Sequence, residues 1–151
     1  MKQMIISIVL WLSGFVALAD DAFEPIPVKE PELRIELLRR VVTDQEARNA
    51  ANKWMNDHRI NGVVVTDILS KEKKDEWEKL IDRVIRVGEE NMKWLKGVVE
   101  KHGWPTNTLA GKDGANAAWL LVQHADADPK FQRQCLDLMS KLPHFAREAR
   151  T

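Results

Sequence analysis

Apolar residues recur at intervals of three and four over most of the chain and hardly anywhere at alternate positions. That period belongs to amphipathic helices, not to half-buried strands. Leu33, Leu37, Leu38, Val41 and Val42 form such a stripe and predict a first helix over 31–55. Pro31 suits its first position, where a missing N–H loses no hydrogen bond. Thr43 and Glu46 stand in capping-box register, which marks a place to break. No Gly or Pro interrupts the segment, so one continuous helix is expected. Trp77, Leu80, Ile81, Val84, Ile85, Met92, Leu95, Val98 and Val99 mark the buried side of a second helix over 71–101. Gly88 interrupts it at a cost of up to about 1 kcal/mol relative to alanine, and is read as a close helix contact. Gly103 suits the left-handed residue after a helix end, and Pro105 blocks continuation.

A third helix is expected over 113–125, with Gly111 and Gly114 in the loop leading to it. Ala115, Ala118, Trp119 and Val122 share one face, and Ala117, Leu120 and Leu121 fill most of the rest. A helix apolar nearly all round is a buried one. Asp128 and Pro129 supply the cap and first residue of a fourth helix, reaching about Leu142. Between the first two helices, "GVVVTDIL" is rich in β-branched residues but has no partner strand elsewhere in the chain. Residues 56–70 are therefore read as a packed loop. The fold class is all-α: a small bundle of about four main helices, two long ones packed with two shorter C-terminal ones.

The ends read differently. Lys2, the apolar run from Met4 to Val16 and the small-residue site Ala17-Leu18-Ala19 have the three-part grammar of a secretory signal peptide. The run is short for a bilayer span, which takes about 20 apolar residues. The expected organisation is a signal peptide over 1–19, a Pro-rich tether over 20–31, a helical domain over 32–145 and a tail over 146–151. The protein is expected to be exported, periplasmic or secreted, with no membrane span after cleavage.

The 23 basic and 23 acidic residues balance, and loss of Lys2 leaves one acid in excess. Without a basic surplus there is nothing to draw phosphates, and a nucleic-acid partner is not expected. Cys135 is the one cysteine, so no internal disulfide forms. It shares a 4-3-4 face with Phe131, Leu138 and Leu142, which makes it a core residue and not a nucleophile. "AGKDGA" fails as a phosphate-binding loop, because Thr106 stands where the first glycine belongs and Asp113 where the hydroxyl belongs. No cofactor motif and no metal-ligand motif is present, and neither ligand is expected.

The remaining polar residues need a reason. Asn116, Gln123 and His124 sit on the apolar third helix, and each needs a hydrogen-bond partner if buried. Asp44 and Arg48 are four apart on the first helix and can pair, with Gln45 beside them. Asn91 lies near the apolar side of the second helix, and His102 and Asp126 sit at helix ends. Trp54, Trp77, Trp94 and Trp119 are read as core or helix contacts, while Trp104 suits either a turn or a site. His58 and His144 receive no role. "HADAD" offers an imidazole and two carboxylates for acid–base or metal chemistry. Equally, Asp126 and Asp128 serve as turn and cap residues, with His124 a satisfied buried histidine.

The segments "DQEARN" (44–49), "EENMKWLKGVVEKHGWP" (89–105) and "GANAAWLLVQHADADPKFQ" (114–132) resemble domain-of-unknown-function family 6624, a bacterial family. The resemblance spans about Leu33 to Leu142. It implies a small helical domain, often exported, with no established activity. It places weight on Asp44, Gln45, Arg48, Asn91, His102, Gly103, Trp104, Pro105, Gln123, His124 and Asp126, and so on one shared pocket. The family pattern tends to carry an acidic residue where this sequence has Gly88. It also continues into a further helical segment with an Asp-Arg pair and a Tyr-Gly-Thr-Gln stretch. This sequence stops at Thr151 and has no tyrosine, so the resemblance implies a copy lacking that C-terminal part.

Two functions are consistent with these residues. One is a binding or interaction module whose interhelical pocket takes a small polar ligand or a protein segment, lined by Asp44, Gln45, Arg48, Asn91, His102, Trp104, Gln123, His124 and Asp126. The other is a hydrolase with His124 as base, oriented by Asp126 or Asp44. In a metal-assisted form of it, His102 would join as a ligand.

Overall fold

The computed structural model describes residues 27–60, 63–64 and 69–142. The expected signal peptide, most of the tether and the 146–151 tail lie outside the described residues. Within them are four helices: α1 (Pro31–Asp57), α2 (Lys71–His102), α3 (Asn107–Gln123) and α4 (Pro129–Ser140). The all-α class follows, with two long helices packed against two shorter ones. One correction concerns 56–70: Arg59–Ile60 (β1) and Val63–Val64 (β2) form a two-residue antiparallel ladder. The β-branched segment finds its partner in the two residues just ahead of it, Arg59 and Ile60, so no distant strand is needed.

α1 is continuous through Thr43, whose Oγ1 donates to the Arg39 carbonyl at 3.2 Å instead of starting a new helix. Its inward residues are Leu37, Asp44, Ala47, Ala51 and Trp54. The two alanines keep that face thin, and α1 packs most extensively on α3, then on α2. The facing stripe of α3 is equally small: Gly114, Ala117, Ala118, Leu121 and Val122 are buried. Gly114 lies within the helix, not in the loop ahead of it. A Cβ there would meet the Ala110 methyl at 3.0 Å and Arg34 at 3.4 Å, so its lack of a side chain lets α1 approach.

α3 also begins earlier than its apolar pattern implies. The Thr106 hydroxyl accepts from the Leu109 N–H at 3.2 Å and caps a short first turn. Gly111 then breaks the helix at φ 76°, ψ 163°, a region open essentially to glycine alone. The tether's last residues dock on this turn: Lys29 and Glu30 N–H donate to the Thr108 and Leu109 carbonyls at 3.1 and 2.9 Å.

Gly103 ends α2 at φ 73°, its N–H donating to the Val99 carbonyl. Trp104 and Pro105 behind it are buried, and Trp104 belongs to the core with Leu37, Leu95, Val122, Phe131 and Cys135. Burying Leu37 and Leu95 contributes roughly 1.5–3 kcal/mol each. Cys135 is sealed within this core, and burial pushes its thiol up to about 11. At the other end of α1, Trp54 stacks with both His58 and Trp77, with centroids 4.1 and 4.9 Å away. His58 Nδ1 lies 2.8 Å from the Trp54 carbonyl and closes the helix end.

Candidate functional site

A carboxylate in the core needs partners, because an unpaired buried charge costs several kcal/mol. Asp44, 1% exposed, is that group here. One turn along α1, Arg48 Nε donates to its two oxygens at 3.3 and 3.2 Å. From the end of α3, His124 Nδ1 lies 2.5 Å from Asp44 Oδ2. Gln45 Nε2 approaches at 3.5 Å, a distance that contributes little. Arg48 Nη2 reaches the His124 carbonyl at 3.5 Å, placing a cation at the C-terminus of α3, where the helix dipole favours one.

An ionised carboxylate only accepts hydrogen bonds, so when the His124 ring is neutral its hydrogen sits on Nδ1. Nε2 is then a bare acceptor. It has no protein partner among the described residues, and the side chain keeps 21% of its surface exposed. Of the two carboxylates expected to orient His124, Asp126 and Asp44, the fold brings Asp44 into contact with it.

His124 lines a cavity of about 220 Å³. Arg48 bounds it from α1; Val84, Ile85, Gly88, Glu89 and Met92 from α2; and the turn 124–127 from the far side. Gly88 is no close helix contact. A Cβ at that position would meet nothing within 4 Å, and the residue opens onto the cavity instead. Glu89 and Asp126 are exposed on its rim.

The other predicted pocket residues go elsewhere. Asn91, 5% exposed, accepts from Arg40 Nη1 at 3.0 Å. Arg40 in turn lies 2.7 Å from Glu36 and 4.4 Å above the Trp94 ring. His102 closes α2 ten residues beyond Met92, about 15 Å along the axis, and does not line the cavity. Trp104 is core. Asn116 and Gln123 project outward, as does Trp119 at 38% exposure. α3 is packed along one stripe, and its other apolar positions are tolerated at the surface, so Asn116 and Gln123 need no buried partners. Gln123 contributes only its carbonyl, which accepts from Gln132 Nε2 at 3.3 Å, next to the same donor's 3.0 Å bond to Val122.

Sequence reasoning missed Gly88, Glu89 and Met92 as cavity residues. A signal was present: Val84, Gly88 and Met92 are spaced by four on one line of α2, and a glycine there leaves a gap. It also missed Arg40 as the partner of Asn91, although Glu36 and Arg40 stand four apart.

A larger cleft, about 440 Å³, lies between α2 and α4 and is lined by Lys96, Glu100, Asp128, Lys130, Phe131 and Gln134. Two of its polar groups, Lys96 and Asp128, are committed to structure. Asp128 accepts from the Phe131 N–H at 3.0 Å and from Lys96 at 2.6 Å. The Lys96 bond, and after it that backbone bond, hold its carboxyl below the usual range. Among the described residues no three His, Cys, Asp or Glu side chains converge as a metal would require. None of the described helices is long and apolar enough to cross a membrane. No family model, no curated protein and no solved structure matches this chain.

Proposed function

We propose that this chain is an exported binding module of the family 6624 type, holding a small polar ligand or a protein segment in the cavity beside His124. The carrying observation is the 2.5 Å contact between Asp44 Oδ2 and His124 Nδ1 at the edge of an open cavity. A histidine needed only to tie two helices together has no use for an accessible second nitrogen. Here one nitrogen is anchored in the core and the other is left for a visitor. Cavities under about 300 Å³ fall below the usual drug-sized range, so the ligand is small or is one side chain of a partner. Export rests on the Lys2 to Ala19 pattern, and the family on the "HGWP" and "QHAD" segments. The balanced charge supports a partner other than nucleic acid.

A second reading, a hydrolase with His124 as general base, is favoured by the same anchored Nδ1, since a fixed tautomer presents Nε2 to a proton. Its metal-assisted form has no support in the geometry, because His102 stands away from the cavity.

Amide NMR of the chain titrated with a panel of small polar compounds tests the primary reading. Saturable shifts confined to Gly88, Glu89, Met92 and 124–127, and absent in His124→Ala, are expected. Shifts gathered around Lys96 and Asp128 instead would overturn it. Turnover of an ester or amide panel that vanishes in His124→Ala would move the assignment to the hydrolase.

A further inference from the structure

Taking the cavity as the binding site, we infer that its ligand is a small organic ammonium ion carried on an apolar body, about the size of a lysine side chain. The wall formed by α1 is internally neutral, because the Arg48 cation lies against the Asp44 carboxylate. With its ring neutral and the hydrogen on Nδ1, toward Asp44, His124 adds no charge. What remains are Glu89 and Asp126, both exposed at the cavity and neither in an ion pair among the described residues. The rim is therefore negative by two charges.

An anion would meet both carboxylates, and its natural partner, Arg48, already donates its Nε to Asp44. An ammonium finds the opposite: two carboxylates to screen it and a bare Nε2 to accept one of its N–H bonds. The rest of the lining suits an alkyl chain. Val84, Ile85 and Met92 supply branched and thioether surface, and Met adapts to irregular shapes. Gly88 completes the fit. It takes no left-handed backbone angle and touches nothing that a methyl group would strike, so neither strain nor packing calls for glycine there. It keeps the α2 wall recessed where the chain of the ligand would lie.

Three isosteric probes separate the possibilities: n-pentylammonium, pentanoate and 1-pentanol, each titrated into the full chain and followed by amide and imidazole NMR. The ammonium is expected to bind most tightly, shifting Gly88, Glu89 and the His124 ring, and to weaken as salt rises. Replacing both rim carboxylates, Glu89→Gln with Asp126→Asn, is expected to reduce its affinity about tenfold. Gly88→Leu is expected to abolish binding while the helical spectrum is kept. Pentanol or pentanoate binding in the cavity as tightly as the ammonium would overturn the cation inference and leave the cavity as a binding site. Failure of all three to reach the cavity would overturn both.

Discussion

Asp44→Ala removes the one carboxylate that joins α1 to the end of α3. Removing one member of a buried ion pair costs on the order of 3–5 kcal/mol when the orphan stays buried. Here the orphans are Arg48 and His124, with side chains 26% and 21% exposed. Water reaches both and recovers part of the loss, so about 2–3 kcal/mol is expected. For a domain of this size, each kcal/mol moves the midpoint by roughly 4 °C, giving a fall of roughly 8–12 °C by circular dichroism at 222 nm. Asp113→Ala provides the contrast. Its pair with Arg34 is shorter than the Arg48–Asp44 pair, 2.6 against 3.2 Å, but both side chains are nearly half exposed, and no resolvable change is expected, as surface pairs contribute little. A fall under about 4 °C for Asp44→Ala, or one matched by Asp113→Ala, would refute the reasoning that burial makes the Asp44 network strong.

Three further outcomes follow from local features. Cys135, sealed in the core with its thiol pushed up to about 11, should resist a thiol reagent at pH 8 until the chain unfolds; rapid labelling of native protein would contradict its placement. Gly111→Ala should destabilise by about 1–3 kcal/mol, given φ 76° and a new Cβ 2.9 Å from the Asp113 carboxylate. Gly97→Ala, with nothing within 4 Å, should instead stabilise by up to about 1 kcal/mol in a denaturant titration. Asp128 is held below the usual carboxylate range, first by its hydrogen bond from Lys96 and then by the Phe131 N–H. Groups so depressed stabilise the fold above their unfolded value and lose that contribution as pH falls through the folded one. The melting midpoint should therefore drop below about pH 4, and Asp128→Asn, which keeps a good cap, should flatten that drop.

Local rules carried the sequence reading a long way where punctuation was strong. Pro31 opens α1, Gly103 closes α2 and Asp128 caps α4 as read. They failed where two signals competed. At 106–114 the two glycines read as loop, yet the Thr106 hydroxyl nucleates a turn before Gly111, and Gly114 is helical because α1 leaves no room for a Cβ. The all-round apolar character of α3 implied burial of Asn116 and Gln123. Only the packing of neighbours decides which stripe is covered, and a single helix does not encode that. The Asp44–Arg48 pair was legible because four residues make one helical neighbour. Its junction with His124, 80 residues away, depends on where α3 ends against α1, and no local spacing reports it. The same holds for the separation of His102 and Asn91 from the cavity, since helix faces and axial distance placed them elsewhere.

The most direct test of the account is the tautomer of the His124 ring, read from its imidazole ¹⁵N shifts with the ring neutral. The hydrogen is expected on Nδ1, toward Asp44, with Nε2 bare and its shift responsive to n-pentylammonium. A ring protonated on Nε2, or averaging between both tautomers, would contradict it.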